Sequence, residues 1–101
     1  MFFIYTTCEK KEEAEKIAKL IIDNKFGVCV DYWPIESMYN WENKFVQTVQ
    51  YMVMVSTSES KLEIINDLIS QNHSYSVPLI GGVDVRRINR AFKEWLTSEV
   101  Q

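Results

Sequence analysis

One histidine and two cysteines are the side chains of this chain best suited to hold a transition metal: His73, Cys8 and Cys29. Imidazole is a common ligand of Cu(II), and thiolate is a ligand of Cu(I). Their spacing matches no zinc or thioredoxin pattern, and two cysteines are too few for a disulfide framework. The simpler alternative is a hydrogen-bonded structural histidine and two reduced, packed thiols.

A second group of residues could line a binding cleft. Tyr39 and Trp41 precede Lys44 across a predicted turn at Glu42-Asn43, and Tyr75 lies further along the chain. The three aromatic rings could form a wall, and the Lys44 ammonium could pair with a phosphate or a carboxylate. In the alternative interpretation the rings pack in an interface and Lys44 is a solvated turn residue. The sequence leaves both open.

Composition and charge exclude several function classes. The net charge of −3 and the pI near 5.1 argue against a nucleic-acid binder, which needs a concentrated positive field. The single histidine, with no Ser-His-Asp arrangement and no phosphate loop, argues against an enzyme. The apolar run Met1–Tyr5 is too short for a signal peptide or a membrane span, so we expect a cytoplasmic protein without a membrane partner.

The 101 residues predict a single α+β domain, 1–101, whose elements follow the order βαββαβ plus a C-terminal helix. Apolar residues at helical spacing predict a first helix over 9–24, with Gly27 as its stop. Ser60 and Glu63 form a potential capping box at the start of a second helix. The predicted strands are 1–5, 26–41, 44–56 and 77–81. A third helix is predicted over 84–98.

Three of these predictions rest on glycine, proline or aromatic residues. Pro34 predicts a bulge or an edge position within the first hairpin arm. Gly81-Gly82 predicts the end of the fourth strand, which Pro78 opens at a sheet edge. Ile88, Ala91, Phe92 and Trp95 predict the apolar face of the third helix. The first six elements match the ferredoxin-like arrangement.

The long hairpin between the second and third strands predicts assembly. Its second arm, Lys44–Ser56, would reach about 43 Å if unbroken, at about 3.3 Å per residue. A compact domain of this size has a diameter of roughly 33 Å, so the ribbon is longer than its domain and needs a partner.

The sheet is also apolar on both faces, because Met52 and Met54 alternate with Tyr51, Val53 and Val55. Two crossover helices cover only one face, so we expect another subunit on the second.

Three strings of residues carry a resemblance to the CutA family, the divalent-cation-tolerance proteins. They are Cys29-Val30, Tyr39-x-Trp41-x-x-Lys44 and His73-x-Tyr75-x-Val77-Pro78-x-Ile80, in the family's order. The resemblance implies a ferredoxin-like subunit in a PII-like homotrimer, with sheets inward and helices outward. It also implies a role in divalent metal tolerance, with copper or another divalent cation bound and no obligatory cofactor.

The resemblance gives His73, Cys29 and Cys8 as candidate metal ligands. It also leaves an alternative function, a PII-like regulatory or scaffold trimer that binds a small anionic ligand or a protein at intersubunit clefts. Several positions depart from the family pattern: Asp31 replaces Asn, Ser74 and Ser76 replace Pro and Glu, and the family's histidine pair is reduced to His73. The missing groups predict weaker metal binding than in relatives.

Overall fold

The computed structural model describes residues 1–100, which form four strands, three helices and a short 3-10 turn. In chain order these are β1 (Phe2–Cys8), α1 (Lys11–Asp23), β2 (Cys29–Trp41), β3 (Lys44–Thr57), the 3-10 turn (Glu59–Lys61), α2 (Leu62–Asn72), β4 (Gly81–Asp84) and α3 (Arg90–Glu99). In this described part no helix combines the length and the apolar character that crossing a membrane requires.

The four strands form one antiparallel sheet in the order β2-β3-β1-β4. This order confirms the predicted ferredoxin-like α+β fold. Helices α1 and α2 contribute the buried side chains Ile17, Ile21, Ile65 and Ile69 to the main core. They pack on the sheet face that carries Ile4, Cys8, Val53 and Val55, all fully or almost fully buried.

The β2-β3 hairpin is long, as the sequence predicts, although its first arm begins at Cys29 and not at Phe26. Its register runs without interruption from Trp41↔Lys44 to Cys29↔Ser56, and the molecule measures 46 Å along its longest axis. The turn residues Glu42 and Asn43 both have positive φ, 49° and 65°, which gives a two-residue hairpin turn its favoured twist. Pro34 lies on the edge strand β2 without a bulge, so its missing N–H faces no neighbouring strand.

The second face of the sheet has little helical cover. It carries Phe3, Tyr5, Trp33, Met52 and Met54, since these positions alternate with the core residues of their strands. Among the described residues, α3 packs near it at the end where Val28, Leu96 and Val100 form a small buried cluster. The two-sided apolar pattern predicted from sequence is therefore present in the fold.

Two predicted signals at helix ends were wrong. Helix α1 ends before Gly27, because Lys25 adopts the left-handed conformation with φ 58°. Gly27 instead lies against the core, where an added Cβ would come within 2.7 Å of Val55 Cγ1. The capping box is also absent: α2 begins at Leu62 without a side-chain cap, and Ser60 Oγ hydrogen-bonds Ser58 Oγ at 3.0 Å.

The C-terminal elements begin later than predicted. Residues 77–80 are not a strand, and Gly81-Gly82 opens β4 instead of ending it. Helix α3 begins at Arg90, so Ile88 lies before it. Its buried side chain is Leu96, and Trp95 is 46% exposed. The shift reflects the short pairing of β4 with β1, in which Gly81 and Gly82 face Tyr5 and Ile4.

Candidate metal cluster and aromatic cleft

Three potential metal donors meet at one end of the core. Cys8 ends β1, Glu13 lies in the first turn of α1, and His73 follows the last residue of α2. One ligand atom from each residue lies within 4.8 Å of the other two. The fold thus brings together two of the three predicted ligands, Cys8 and His73, and adds a carboxylate.

Both ring nitrogens of His73 have a protein partner. Nε2 lies 2.8 Å from the Thr7 carbonyl oxygen, which can only accept, so Nε2 carries the proton and donates. Nδ1 then accepts the backbone N–H of Tyr75 at 3.1 Å. These contacts assign the neutral Nε2–H tautomer, and the Nδ1 lone pair is the one that a metal could use.

Glu13 is held by the segment that follows α2. Its Oε1 accepts the backbone N–H of Ser74 and its Oε2 accepts the Ser74 hydroxyl, both at 2.8 Å. Glu13 Oε1 also lies 3.4 Å from His73 Nδ1, which would form an ion pair if the ring were doubly protonated. The carboxylate therefore fixes the backbone at Ser74 and lies in contact distance of the imidazole.

The Cys8 thiol is fully buried. Burial, together with the charge of Glu13, raises its pKa from 9.0 to about 12. The side chain is therefore a thiol and not a thiolate at neutral pH. A metal at this cluster would have to displace the proton.

Cys29 lies at the other end of the sheet. It faces Ser56 on β3, whereas Cys8 faces Tyr51, five residues away along the same strand. At about 3.3 Å per residue this separates the two cysteines by roughly 17 Å along the strand direction. Cys29 Sγ hydrogen-bonds Asp31 Oδ1 at 3.7 Å, and burial and that carboxylate raise its pKa. Within one chain, His73, Cys8 and Cys29 do not form a single site.

The predicted aromatic residues line a cleft beside the metal cluster. Tyr39, Trp41 and Tyr75 border a cavity of about 460 Å³ between the turn end of the hairpin and the segment that follows α2. The Tyr75 hydroxyl donates to Gln50 Oε1 at 2.8 Å, and burial raises the pKa of Tyr75 to about 12, with smaller contributions from Tyr39 and nearby acidic groups. The hydroxyl is therefore a neutral donor.

Lys44 does not border this cavity, although it pairs with Trp41 across the turn. The other residues that border it carry no charge: Thr7, Gln50, Ser74, Ser76, Val77 and Leu79. In one chain the cleft thus offers rings, hydroxyls and an amide. A cation for an anionic ligand would have to come from Lys44 after a side-chain movement or from a neighbouring copy.

Sequence reasoning missed Glu13 and Gln50. Glu13 occupies a polar position of an amphipathic helix, where a carboxylate near the N-terminus is ordinary. Gln50 occupies a polar position in a strand and is only 7% exposed. Nothing in the local pattern distinguishes either residue, because their partners, Ser74 and Tyr75, lie 61 and 25 residues away.

Comparison with known proteins identifies the family. The CutA1 divalent ion tolerance protein family matches residues 2–99. The divalent-cation tolerance protein CutA of Archaeoglobus fulgidus is 33% identical over 99 residues, which cover 98% of this chain and 97% of that protein. The chloroplastic protein CutA 1 of Oryza sativa is 31% identical over 97% of this chain and 56% of its own length.

Solved structures agree with this match along the whole chain. The periplasmic divalent cation tolerance protein CutA from Archaeoglobus fulgidus superposes with a TM-score of 0.95, at 33% identity, with both chains fully covered. CutA1 from Pyrococcus horikoshii gives a TM-score of 0.95 at 29% identity, covering 100% of this chain and 99% of that one. The fold, the shared motifs and these matches agree, and the chain belongs to the CutA1 divalent ion tolerance family.

Proposed function

We propose that this protein binds a divalent cation as a homotrimer and contributes in this way to metal tolerance, with copper as the first cation to test. The observation that carries the proposal is the meeting of a thiol, a carboxylate and an imidazole within 4.8 Å at Cys8, Glu13 and His73. The names of the relatives, divalent-cation tolerance proteins, support the same role.

The donor set fits a borderline or soft cation by type, because nitrogen and sulfur ligands suit copper and zinc better than magnesium or calcium. Binding has two costs. Cys8 must lose its proton against a pKa of about 12, and His73 Nδ1 must give up its hydrogen bond from Tyr75 N–H. We therefore expect modest affinity that tightens as pH rises.

A titration of the reduced protein with Zn²⁺ and with Cu²⁺ tests this proposal. We expect one cation per chain, and affinity that increases several-fold, up to tenfold, from pH 6.5 to 7.5, because one thiol proton is released. His73→Ala and Cys8→Ala should each abolish saturable binding. Glu12→Gln, an exposed neighbour of Glu13 on α1, is the matched control and should leave binding unchanged. Binding that is indifferent to both His73→Ala and Cys8→Ala would contradict the proposal.

The proposal of a homotrimer is supported by the overhanging hairpin and by the sheet face that α1 and α2 leave uncovered.

A cytoplasmic location and the absence of catalysis stay predictions. The names of two relatives describe one as periplasmic and the other as chloroplastic.

The cleft supports a second candidate function, the binding of a small ligand. A cavity of about 460 Å³ walled by Tyr39, Trp41 and Tyr75 is large enough to accept an aromatic ring, and the Tyr75 hydroxyl and the Gln50 amide could orient it. A ligand with a phosphate would additionally need Lys44.

Adenosine and ATP form a matched pair of probes for this candidate, since they differ in the phosphates alone. The change in tryptophan fluorescence that accompanies binding of either probe should be lost in Trp41→Phe and retained in Trp95→Phe. If ATP binds and adenosine does not, Lys44→Ala should remove the difference. No saturable response to either probe would count against a nucleotide-like ligand.

A further inference from the structure

We propose that a cation bound at the metal cluster (Cys8, Glu13 and His73) releases the backbone of Tyr75, so that the cluster controls one wall of the aromatic cleft. This regulation rests on the proposed cation site. A single atom connects the two places: His73 Nδ1 has the lone pair that a metal could use, and it accepts the Tyr75 N–H at 3.1 Å. Tyr75 in turn borders the cleft.

The two uses of His73 Nδ1 exclude each other. A neutral imidazole has one nitrogen that carries a proton and one nitrogen with a free lone pair. Nε2 donates its proton to the Thr7 carbonyl oxygen at 2.8 Å, so the free lone pair is on Nδ1. A cation that takes this lone pair therefore removes the acceptor of the Tyr75 N–H.

The neighbouring contacts of the segment are compatible with a bound cation. His73 keeps its hydrogen bond to Thr7, because that bond uses Nε2. The carboxylate of Glu13 has about four lone-pair sites on its two oxygens. It can hold a cation and still accept the N–H and the hydroxyl of Ser74, both at 2.8 Å. Residues 73 and 74 thus stay attached to β1 and α1, and the release begins at Tyr75.

The backbone contact restrains the Tyr75 ring together with two weaker side-chain contacts. The hydroxyl donates to Gln50 Oε1 at 2.8 Å, and the ring centroid lies 5.0 Å from that of His73 with the planes tilted by 42°. A donor N–H that loses its acceptor needs water as a partner, because an unpaired buried donor is costly. Tyr75 is half-buried, so its N–H gains water when this part of the backbone turns outward.

The effect on the cleft is reciprocal, because two linked binding events change each other's affinity by the same factor. A ligand that packs on the Tyr75 ring in the present geometry favours the state in which the Tyr75 N–H is bonded to Nδ1. Such a ligand weakens cation binding, and the cation weakens ligand binding equally. The cluster and the cleft are therefore antagonists, and a cation would discharge a small molecule held in the cleft.

Amide hydrogen exchange followed by NMR, on the reduced protein in its native assembly with and without saturating Zn²⁺, tests the release. Zn²⁺ has no redox chemistry that could alter the thiols. The Tyr75 N–H should exchange roughly three- to tenfold faster with Zn²⁺, as expected for the loss of one hydrogen bond. Two N–H groups are internal controls and should keep their rates: that of Ser74, bonded to Glu13, and that of Val28, bonded to the Ser56 carbonyl oxygen at 2.9 Å.

His73→Ala gives a second measurement on the same N–H. It removes Nδ1, so the Tyr75 N–H should exchange at the faster rate without Zn²⁺ and should not respond when Zn²⁺ is added. Glu12→Gln, on the exposed side of α1, is the matched control and should behave like the unmodified protein. An unchanged Tyr75 rate in His73→Ala would overturn the proposal, because Nδ1 would then not protect the N–H.

Calorimetric titration of the same sample with Zn²⁺ separates this regulation from the cation site itself. Saturable binding with an unchanged Tyr75 rate would overturn the release and leave the cation site standing. The absence of saturable binding would overturn both. Equal acceleration at Tyr75, Ser74 and Val28 would also overturn the release, because it would mean that Zn²⁺ loosens the whole fold.

Discussion

At the scale of single residues, His73 connects three parts of the chain. Its ring donates to β1 at Thr7 and accepts from the backbone at Tyr75, and its neighbour Ser74 binds Glu13 of α1. The imidazole therefore positions the segment that follows α2 even when no metal is bound. A metal at Nδ1 would replace the contact to Tyr75, and Tyr75 is also a wall of the cleft. A metal bound at the cluster would therefore also affect the position of Tyr75 in the cleft wall.

Cys8 gives the free energy of unfolding a specific dependence on alkaline pH. Its pKa is about 12 in the folded chain and 9.0 when exposed. Below pH 9 the thiol is protonated in both states. Between pH 9 and 12 only the unfolded chain loses the proton, so stability falls as pH rises, by up to about 1.4 kcal/mol per pH unit.

Urea unfolding of the native protein and of Cys8→Ala, at equal concentration from pH 8 to 10.5, measures this effect. The alanine variant should lose less stability per pH unit above pH 9, whatever its stability at pH 8. Parallel pH profiles would mean that Cys8 ionises normally in the folded protein.

At the scale of secondary-structure elements, close packing determines where α1 can meet the sheet. Lys25, with its positive φ, turns the chain out of the helix, and Gly27 then passes directly over Val55. A Cβ at Gly27 would also lie 3.1 Å from Ile21 Cγ2. Both neighbours are fully buried core residues, so they have little room to move.

Gly27→Ala should therefore lower the free energy of unfolding by about 1–3 kcal/mol, as an overpacked core does. Gly81→Ala is its matched control: the added Cβ would meet only Leu79 Cδ1, at 3.9 Å, an ordinary contact. Chemical denaturation of both variants at one protein concentration tests the difference. Equal stability of the two would show that Val55 and Ile21 move aside easily.

The elements with a strong periodic pattern could be predicted from the sequence. The hairpin turn at Glu42-Asn43 and helix α1 depend on local residue preferences, and both were confirmed. The region 73–84 could not be placed, because its conformation depends on contacts with β1 and α1 that are far away in sequence. For the same reason the pairing of Cys8 with His73, and the separation of Cys29 from both, needed the fold.

The whole molecule is elongated, 46 × 25 × 20 Å, because the outer half of the hairpin extends beyond β1. That half carries exposed Met38, Trp41, Phe45 and Val49. Together with the sheet face without helical cover, these side chains form the surface that we expect a homotrimer to bury. Isolated ribbons of two strands are marginally stable in water, so the partner subunits would also stabilise the hairpin.

Light scattering at micromolar concentration tests the assembly. We expect a molar mass three times that of the 11.9 kDa chain. Trp41→Ala should shift the mass toward single chains on dilution. Trp95→Ala, on α3 and about equally exposed at 46% against 49%, should keep the assembled mass. A single-chain mass for the unmodified protein would refute the trimer.

The central place of β3 in the sheet has a consequence for synthesis on the ribosome. β1 is made first, but both strands that flank it come later: β3 ends at Thr57, and β4 follows at Gly81–Asp84. The backbone of β1 therefore has no sheet partner while the first half of the chain emerges. The hairpin, which is local in sequence, can pair as soon as it is released, and it then offers β3 as the template on which β1 docks.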